Sequence, residues 1–275
     1  MKYIELSVPC TDETRREILM AELSDFPFES FCEEEDRLKA YMPESEYARC
    51  EPEIAQWMRD RELSCTAEAL PDRNWNEVWE SNFEPIEVEG RCRIRAPFHP
   101  RNPACEYDIE IMPKMSFGTG HHATTYLMAA EILDSDPSGL RGLDMGSGTG
   151  VLAILAVLRG AAHMDAVDID EWAYENGTEN IEANGMSGRV QPLMGDARLL
   201  AGRRYDFILA NINRNILLRD MEAYRDALAP GGSLTVSGIL EADIEAIERK
   251  GLSLGLHPVR RRTRSGWAAV RFERR

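Results

Sequence analysis

Long apolar runs, paired cysteines and basic charge are all scarce in this chain of 275 residues. The longest strongly apolar stretch, Val151–Leu158, falls far short of the roughly 20 residues that a membrane-spanning helix needs. Near the N-terminus, acidic residues occur before any apolar signal core could form, which disfavours secretion. With 43% hydrophobic residues the chain can bury a sizeable core, so the sequence predicts a soluble, globular, cytoplasmic protein.

The six cysteines lack the spacing of a metal centre. None forms a C-x-x-C pair and no set of them is spaced for zinc, so we expect reduced thiols and no metal. They are Cys10, Cys32, Cys50, Cys65, Cys92 and Cys105. Only four lysines are present, and none of them follows a glycine, which excludes a Walker A phosphate loop.

The net charge of −16 is concentrated in the first third of the chain. Residues 1–90 hold 24 acidic and nine basic residues, whereas residues 91–275 hold 24 and 23. An acidic N-terminal part should repel nucleic acid and attract a basic partner. An alternative remains open, in which the acidic surface serves solubility alone.

Residues 1–70 show the pattern of a small separate domain. Residues 3–8 alternate as a half-buried strand, and two helical stripes follow, each separated from the next by short strand-like runs. The resulting order, β-α-β-β-α-β, predicts a ferredoxin-like α+β domain. Residues 71–90 come next as a linker in which Trp75, Trp79 and Phe83 share one helical face. An ordinary core helix is the alternative interpretation of that stretch.

Two alternating segments follow the linker. Arg91, Arg93 and Arg95 alternate with apolar residues, and the run from Glu106 to Glu110 alternates carboxylates in the same way. The pattern predicts an antiparallel strand pair in which arginines face carboxylates.

From Leu140 onward, apolar strand patterns alternate with helical ones. Strands are predicted at 140–145, 164–168, 190–194, 205–210 and 232–239, with helices near 150–159, 171–184, 214–228 and 241–250. This rhythm is typical of a doubly wound, mostly parallel α/β sheet, here assigned to a domain of residues 91–275. Two last strand-like runs, 254–262 and 266–272, predict a terminal antiparallel pair.

The strongest motif is the D-x-G-x-G-x-G stretch Asp144–Gly150, directly after the first of these strands. Gly146 and Gly148 allow a sharp turn and a close approach of ligand to backbone, at the carboxyl end of a strand where α/β proteins bind ligands. A dinucleotide fingerprint needs glycine at Val151, which disfavours a nicotinamide-dependent oxidoreductase. The pattern is typical of methyltransferases that use S-adenosylmethionine.

Two carboxylates at later strand ends support this interpretation. Asp168 lies at the end of the second strand, where a carboxylate can accept both hydrogen bonds of a ribose diol. Asp170 is the better candidate for capping the next helix. Asp196 follows the third strand and would lie near an adenine amino group, although a turn or capping role is equally open.

Four motifs in order resemble the Rossmann-like bacterial methyltransferases that modify the eleventh protein of the large ribosomal subunit. They are Phe117–Thr125, Asp144–Gly150, Asp168–Asp170 and Ala210–Ile212. The resemblance extends to the aromatic linker and implies transfer of methyl groups from S-adenosylmethionine to amino groups of that protein. It further implies that Thr125, Gly146, Asp168 and Asn211 contact the cofactor, and that residues 1–70 recognise the substrate.

The residues of these motifs allow a consistent physical interpretation. Phe117 and Gly118 can fold over the cofactor and exclude water, although an ordinary turn capped by Thr124 or Thr125 is an alternative. Asn211 is the candidate catalytic residue, because its side-chain carbonyl can accept an N–H bond from the acceptor amine.

Other functions remain as alternatives. His121 and His122 are not expected to act as a base or metal site, since adjacent histidines do not share a helix face. The remaining functional alternatives are methylation of another basic protein, an oxidoreductase, and a protein that binds without catalysis.

Overall fold

The computed structural model describes residues 3–23, 26–34, 36–61, 63–69, 84–112 and 123–275. The chain divides into two compact units, residues 1–82 and residues 83–275. The three linker aromatics, Trp75, Trp79 and Phe83, lie outside the described residues, so their predicted packing is untested. In the described part of the chain, no helix is both long and apolar enough to cross a bilayer.

The first unit pairs a four-stranded antiparallel sheet with two helices. Its strands are β1 Tyr3–Pro9, β2 Ser30–Glu34, β3 Arg37–Pro43 and β4 Thr66–Ala69, and its helices are α1 Glu13–Leu23 and α2 Glu44–Asp60. The sheet order is β2-β3-β1-β4, and the elements follow the predicted β-α-β-β-α-β order. Alternate residues of β1 and β3, such as Leu6 and Leu38, are fully buried against Leu23 and Ile54 of the helices.

The second unit begins with a three-stranded sheet that corrects one prediction. Its strands are β5 Ile86–Val88, β6 Cys92–Arg95 and β7 Tyr107–Glu110. The strands β6 and β7 pair in parallel, so the predicted antiparallel pairing is wrong. The predicted charge contacts are nevertheless present, since Arg95 lies 2.7 Å from Asp108 and 3.0 Å from Glu110. The connection 96–106 is long enough to return the chain to the start of β6, as parallel pairing requires.

The rest of the unit is a seven-stranded α/β sheet. Its strands are β8 Arg141–Met145, β9 His163–Asp168, β10 Val190–Met194, β11 Tyr205–Asn211, β12 Leu228–Leu240, β13 Leu256–Arg264 and β14 Trp267–Arg274. Its helices are α3 Ala123–Asp134, α4 Val151–Leu158, α5 Glu171–Ala183, α6 Arg214–Ala227 and α7 Ile244–Ser253. The order β10-β9-β8-β11-β12-β14-β13, parallel except for β14, confirms the doubly wound sheet and the terminal antiparallel pair.

This strand order positions the site. The chain moves outward from β8 to β10 on one side and then restarts at β11 on the other, so the order reverses between β8 and β11. A crevice opens at such a reversal, outside the carboxyl ends of the strands. Helices α3, α4 and α5 pack on one face of the sheet, and α6 and α7 pack on the other.

Helix α3 was not among the predicted helices. It buries nine of its twelve residues, so it lacks the polar stripe that marks an amphipathic helix in a sequence. Thr124 and Thr125 lie inside its first turn, rather than before the helix as capping residues would.

Candidate functional site

The carboxyl ends of the central strands surround a cavity of about 560 Å³. Its lining includes Gly146 and Gly148 after β8, Asp168 at the end of β9, Asp196 after β10, and Asn211 at the end of β11. A volume of this size falls within the range of roughly 300–1,000 Å³ that is usual for small-molecule and cofactor pockets. Five residues that the sequence singled out are therefore brought together in one place.

The glycine loop after β8 takes a shape that only glycine supports. Gly146 has a φ of 72°, and a Cβ atom there would lie 2.2 Å from the Cγ2 atom of Ile212. Two successive N–H groups, of Gly146 and Ser147, donate to the carbonyl of Val167 at 2.8 and 3.0 Å. The loop is thus tied to β9 while its open side faces the cavity.

Asp168 joins the glycine loop to the next helix. Its Oδ2 atom accepts the N–H of Gly148 at 2.8 Å, and its Oδ1 atom accepts the N–H of Asp170 at 3.0 Å. Asp170 itself caps α5, accepting the N–H of Ala173 at 2.9 Å. Each Asp168 oxygen retains a lone pair for a further donor, and the side chain lines the cavity.

Asp196 has the capping role that the sequence analysis left open. It begins the 3-10 helix Ala197–Leu200 and accepts the N–H of Arg198 at 2.9 Å. The Arg198 guanidinium also lies 2.9 Å from its Oδ2 atom, and these hydrogen bonds lower the pKa of the Asp196 carboxyl. The side chain still lines the cavity, so the capping role does not remove it from the site.

Asn211 and Thr125 each have a buried side-chain oxygen without a hydrogen-bond partner. Asn211 is only 8% exposed, and its Oδ1 atom makes no hydrogen bond. The buried Oγ1 atom of Thr125 is likewise unpartnered, although Thr125 is not among the residues that line the cavity. A buried polar atom without a partner costs about 1–3 kcal/mol. A donor that entered the cavity and bonded to Asn211 Oδ1 would remove that cost.

Asp144 begins the glycine motif but is not among the residues that line the cavity. Its Oδ2 atom accepts the N–H of Ala153 at 3.2 Å, and its Oδ1 atom has no partner. Burial raises the pKa of the Asp144 carboxyl to about 7, with a smaller contribution from the negative charge of Asp168.

Sequence reasoning missed the far wall of the cavity. Helix α6 contributes Ile216, Arg219 and Asp220, and the strands beyond β11 contribute Gly238 and Trp267. Of these, only Gly238 carried a local signal, because a glycine inside a strand pattern marks a close approach of backbone. Its φ is 82°, and a Cβ atom there would lie 2.4 Å from the carbonyl oxygen of Ile212.

Phe117 and Gly118 of the predicted site lie outside the described residues, as do His121 and His122, for which no role as base or metal ligand was expected. Within the described ranges, no three His, Cys, Asp or Glu side chains are grouped closely enough to hold a metal ion.

This chain is similar to proteins described as ribosomal protein L11 methyltransferases. A profile of the family "Ribosomal protein L11 methyltransferase (PrmA)" matches residues 5–275. The chain is 46% identical over 280 residues to a ribosomal protein L11 methyltransferase of Bacteroides fragilis, with 99% of each chain covered. It is 45% identical over 284 residues to that of Porphyromonas gingivalis, covering 99% of this chain and 98% of the relative. A solved ribosomal protein L11 methylase from Lactobacillus delbrueckii subsp. bulgaricus is similar with a TM-score of 0.63 and 25% identity, over 70% of this chain and all of that one.

Proposed function

The chain belongs to the ribosomal protein L11 methyltransferase family, and from this we propose that it methylates amino groups of ribosomal protein L11 with S-adenosylmethionine. The observation that carries the proposal is the buried, unpartnered Oδ1 atom of Asn211 beside the glycine loop. We propose that residues 91–275 catalyse the reaction, that residues 1–70 recognise the substrate, and that residues 71–90 link the two. A cytoplasmic location is part of the same proposal.

The cavity residues fit the cofactor. When bound, S-adenosylmethionine supplies the methyl group from a cationic sulfonium. Gly146 and Gly148 leave room for close approach, and Asp168 offers a remaining lone pair on each oxygen to a ribose diol. Asp196 would lie toward the adenine, Phe117 and Gly118 would cover the pocket, and Thr125 would contact the cofactor.

The acceptor amine must reach the cavity without its proton. A lysine with a pKa of about 10.4 is neutral in only about one molecule in a thousand at pH 7.4, which costs roughly 4 kcal/mol. An N-terminal amine, with a pKa of about 7.7–8.0, costs less than about 1 kcal/mol. A cavity that removes the amine from water disfavours its charged form and so favours loss of the proton.

Asn211 positions the amine once it is neutral. Its Oδ1 atom can accept one N–H of the amine, which fixes the direction of the nitrogen lone pair. The side chain sits at the end of β11, next to the glycine loop in the sheet, because Ala210 pairs in register with Met145. Asn211 therefore acts by orientation, and no base is required at that position.

Mass spectrometry of L11 incubated with the protein and S-adenosylmethionine tests the proposed function. We expect mass increments of 14 Da per methyl group on amino groups of L11, and none without the protein. An Asn211→Ala variant should lower kcat by roughly a hundredfold, the usual loss when one positioned polar group is removed. Its melting temperature should not fall, because the substitution removes a buried amide oxygen that has no hydrogen-bond partner.

The exposed Asn215, four residues further on, provides the matched control, and Asn215→Ala should retain full activity. Absence of methyl incorporation by the wild-type protein would refute the proposed function. Methyl incorporation into a different basic protein, but not into L11, would support the proposed methyl transfer and reject L11 as the substrate. An Asn211→Ala variant that loses stability together with activity would reject the positioning role.

A further inference from the structure

Three asparagines form a ladder along one face of α5. Asn176, Asn180 and Asn184 follow one another at intervals of four residues, which places them on the same side of the helix, and Asn184 comes directly after its last residue. Asn176 and Asn180 are each only 1% exposed. Burying an amide side chain is unfavourable unless its donors and acceptors find partners, and these side chains find theirs within the molecule. We call the three residues the asparagine ladder.

The last residue of the asparagine ladder serves the free edge of β7. On one side of this strand, the N–H groups of Tyr107 and Ile111 donate to carbonyls of the β6 segment at 2.9 and 2.8 Å. On the other side, Asn184 accepts the N–H of Glu110 at 3.0 Å and donates to the Glu110 carbonyl at 2.7 Å. A side chain thus pairs backbone groups that would otherwise lie on an open strand edge. Asn184 therefore has a structural role.

The middle residue has a further partner outside this strand edge. Asn180 accepts the N–H of Met112 at 2.9 Å, and its Nδ2 group donates to the Thr149 carbonyl at 3.1 Å. The same Nδ2 group donates to Asn176 Oδ1 at 3.2 Å, and Asn176 donates to the Met112 carbonyl at 3.3 Å. Asn180 thus joins the chain that leaves β7 to the glycine loop.

These partners explain why the side chain is an amide. The Met112 N–H can only donate and the Thr149 carbonyl can only accept, so a group between them needs one acceptor and one donor. A carboxamide satisfies both in a single orientation, with Oδ1 toward Met112 and Nδ2 toward Thr149. The contact with Met112 therefore fixes the direction in which Asn180 donates to the glycine loop.

The glycine loop depends on such contacts for its shape. Its three glycines all have a positive φ, between 52° and 77°. Glycine loses more conformational freedom on folding than any other residue, so the loop keeps one shape only when its neighbours restrain it. Strand β9 supplies the Val167 carbonyl and the Asp168 carboxylate as acceptors for loop N–H groups. Helix α5 supplies Asn180 as the donor to the Thr149 carbonyl.

The restrained carbonyl lies beside the cavity. Thr149 directly follows Gly148, which lines the cavity, whereas Asn180 itself is not part of the lining. A shift of the Thr149 carbonyl moves the backbone on which Gly148 approaches a bound molecule. Any effect of Asn180 on a ligand therefore passes through the glycine loop.

We propose that Asn180 is a positioning residue for cofactor binding, which holds the Thr149 carbonyl and with it the glycine loop in the shape that receives S-adenosylmethionine. The inference rests on the cofactor of the proposed function and is independent of the protein substrate. A loop that is already held in its binding shape loses less freedom when the cofactor binds, which raises affinity.

Titration calorimetry with S-adenosylmethionine tests the inference in full-chain variants. Asn180→Leu keeps the size of the side chain and removes both its donor and its acceptor, which frees the Thr149 carbonyl. We expect the Kd for S-adenosylmethionine to rise about tenfold, equivalent to about 1.4 kcal/mol and comparable with the loss of one hydrogen bond. The melting temperature should fall as well, because buried backbone groups lose their partner.

The other two asparagines provide matched controls. Asn176→Leu changes an equally buried side chain and frees the Met112 carbonyl, but it leaves the bond to Thr149 in place. Asn184→Leu frees the edge of β7 at Glu110. Both variants should lose stability, and both should bind S-adenosylmethionine within about threefold of the wild type. A tenfold rise in Kd in either control would place the effect in β7 or the ladder as a whole and overturn the inference.

A comparison of KM with kcat separates positioning from partial unfolding. In Asn180→Leu the loss of methylation should appear as a higher KM for S-adenosylmethionine, with a calorimetric stoichiometry near one site per chain. A purely structural role would instead lower kcat and the stoichiometry by the unfolded fraction and leave Kd at its wild-type value. That result, or an unchanged Kd in a fully folded variant, would overturn the inference.

Two further results keep the inference separate from the function on which it rests. If Asn180→Leu does not fold, the smaller Asn180→Ala replaces it, with Asn176→Ala and Asn184→Ala as controls and the same expected values of Kd. A wild-type chain that binds no S-adenosylmethionine overturns the proposed function and the inference together. A wild-type chain that binds S-adenosylmethionine but does not methylate L11 rejects the substrate alone, and the comparison of Kd values then still decides the role of Asn180.

Discussion

Two buried carboxyl groups in the central sheet have opposite pKa shifts. Burial raises the pKa of Asp144 to about 7, because only one N–H group, that of Ala153, compensates for the loss of water. Burial also opposes ionisation of Asp165, but hydrogen bonds from its neighbours outweigh it and lower the pKa. The Tyr205 hydroxyl donates to Asp165 at 2.6 Å, and the Arg203 guanidinium lies at 2.9 Å. The number of hydrogen-bond donors to the carboxylate, rather than its depth of burial, decides whether its pKa is raised or lowered.

This difference predicts how an Asp144→Asn variant responds to pH. The pKa of Asp144 is higher in the folded than in the unfolded chain, so its contribution to stability is complete below about pH 4 and lost as pH rises through about 7. The loss amounts to at most about 4 kcal/mol in the free energy of unfolding. The variant lacks this loss, so its melting temperature relative to wild type should rise between about pH 4 and pH 7 and level off above pH 7.

An Asp165→Asn variant provides the contrasting control. Because the pKa of Asp165 is lowered, its stabilisation is present above the unfolded value near 3.8 and disappears as pH falls through the folded value. This variant should be less stable than wild type at neutral pH, with a difference that shrinks in acid. If the melting temperatures of the wild type and Asp144→Asn change with pH in parallel, Asp144 is already ionised in the folded protein below pH 7, and the raised pKa is wrong.

The cavity wall formed by the motif residues could be predicted from local sequence spacing. The far wall could not, because its residues follow no such spacing. Gly146 directly follows a strand, and Asp168 and Asn211 each end one, so their shared edge follows from the parallel topology. Trp267 reaches the cavity only because β14 inserts next to β12, where Leu240 pairs with Trp267. Sequence periodicity could not predict that pairing, since it depends on which edge of the sheet the terminal hairpin of β13 and β14 joins.

At the scale of elements, pairing direction was harder to predict than pairing partner. The alternation around Arg93 and Asp108 predicted two strands with complementary charges, and these two residues do pair in register. Direction depends on the path of residues 96–106, which carries no periodic signal. Parallel and antiparallel pairs can place the same charges face to face, so the charge pattern could not decide between them.

The contact between α5 and the glycine loop gives a prediction about a helical glycine. Replacing a glycine by alanine inside a helix normally stabilises it by about 0.5–1 kcal/mol. At Gly177, however, the new Cβ atom would lie 2.8 Å from the carbonyl oxygen of Gly148, which lines the cavity. Either α5 or the loop must move, so Gly177→Ala should raise the Kd for S-adenosylmethionine about tenfold without the usual gain in stability. Calorimetry and thermal unfolding measure the two quantities.

Gly188 provides the comparison for this helix-to-loop contact. It lies in the connection between α5 and β10, and a Cβ atom there would meet no atom within 4 Å. Gly188→Ala should bind the cofactor as the wild type does. If Gly177→Ala is stabilised by the ordinary helical amount and keeps its cofactor affinity, the close contact does not constrain the loop.

At the scale of the whole molecule, charge is divided between the two units. Residues 1–82 hold 21 acidic and nine basic residues, whereas residues 83–275 hold 27 and 23. The boundary between the units falls inside the predicted linker of residues 71–90. An excess of one sign on a single unit creates a field that attracts a basic protein from beyond contact distance.

Salt should therefore weaken recognition of L11 more than binding of the cofactor. The Debye length shortens from about 10 Å at 0.1 M to about 3 Å at 1 M salt, which screens the field of exposed carboxylates. Between 0.05 and 0.5 M salt we expect KM for L11 to rise roughly tenfold, while the Kd for S-adenosylmethionine changes by less than about twofold. Glu51→Gln combined with Glu53→Gln removes two exposed charges from α2 and should flatten the KM dependence. A KM that does not respond to salt would leave solubility as the role of the acidic surface, since attraction by charge cannot persist once it is screened.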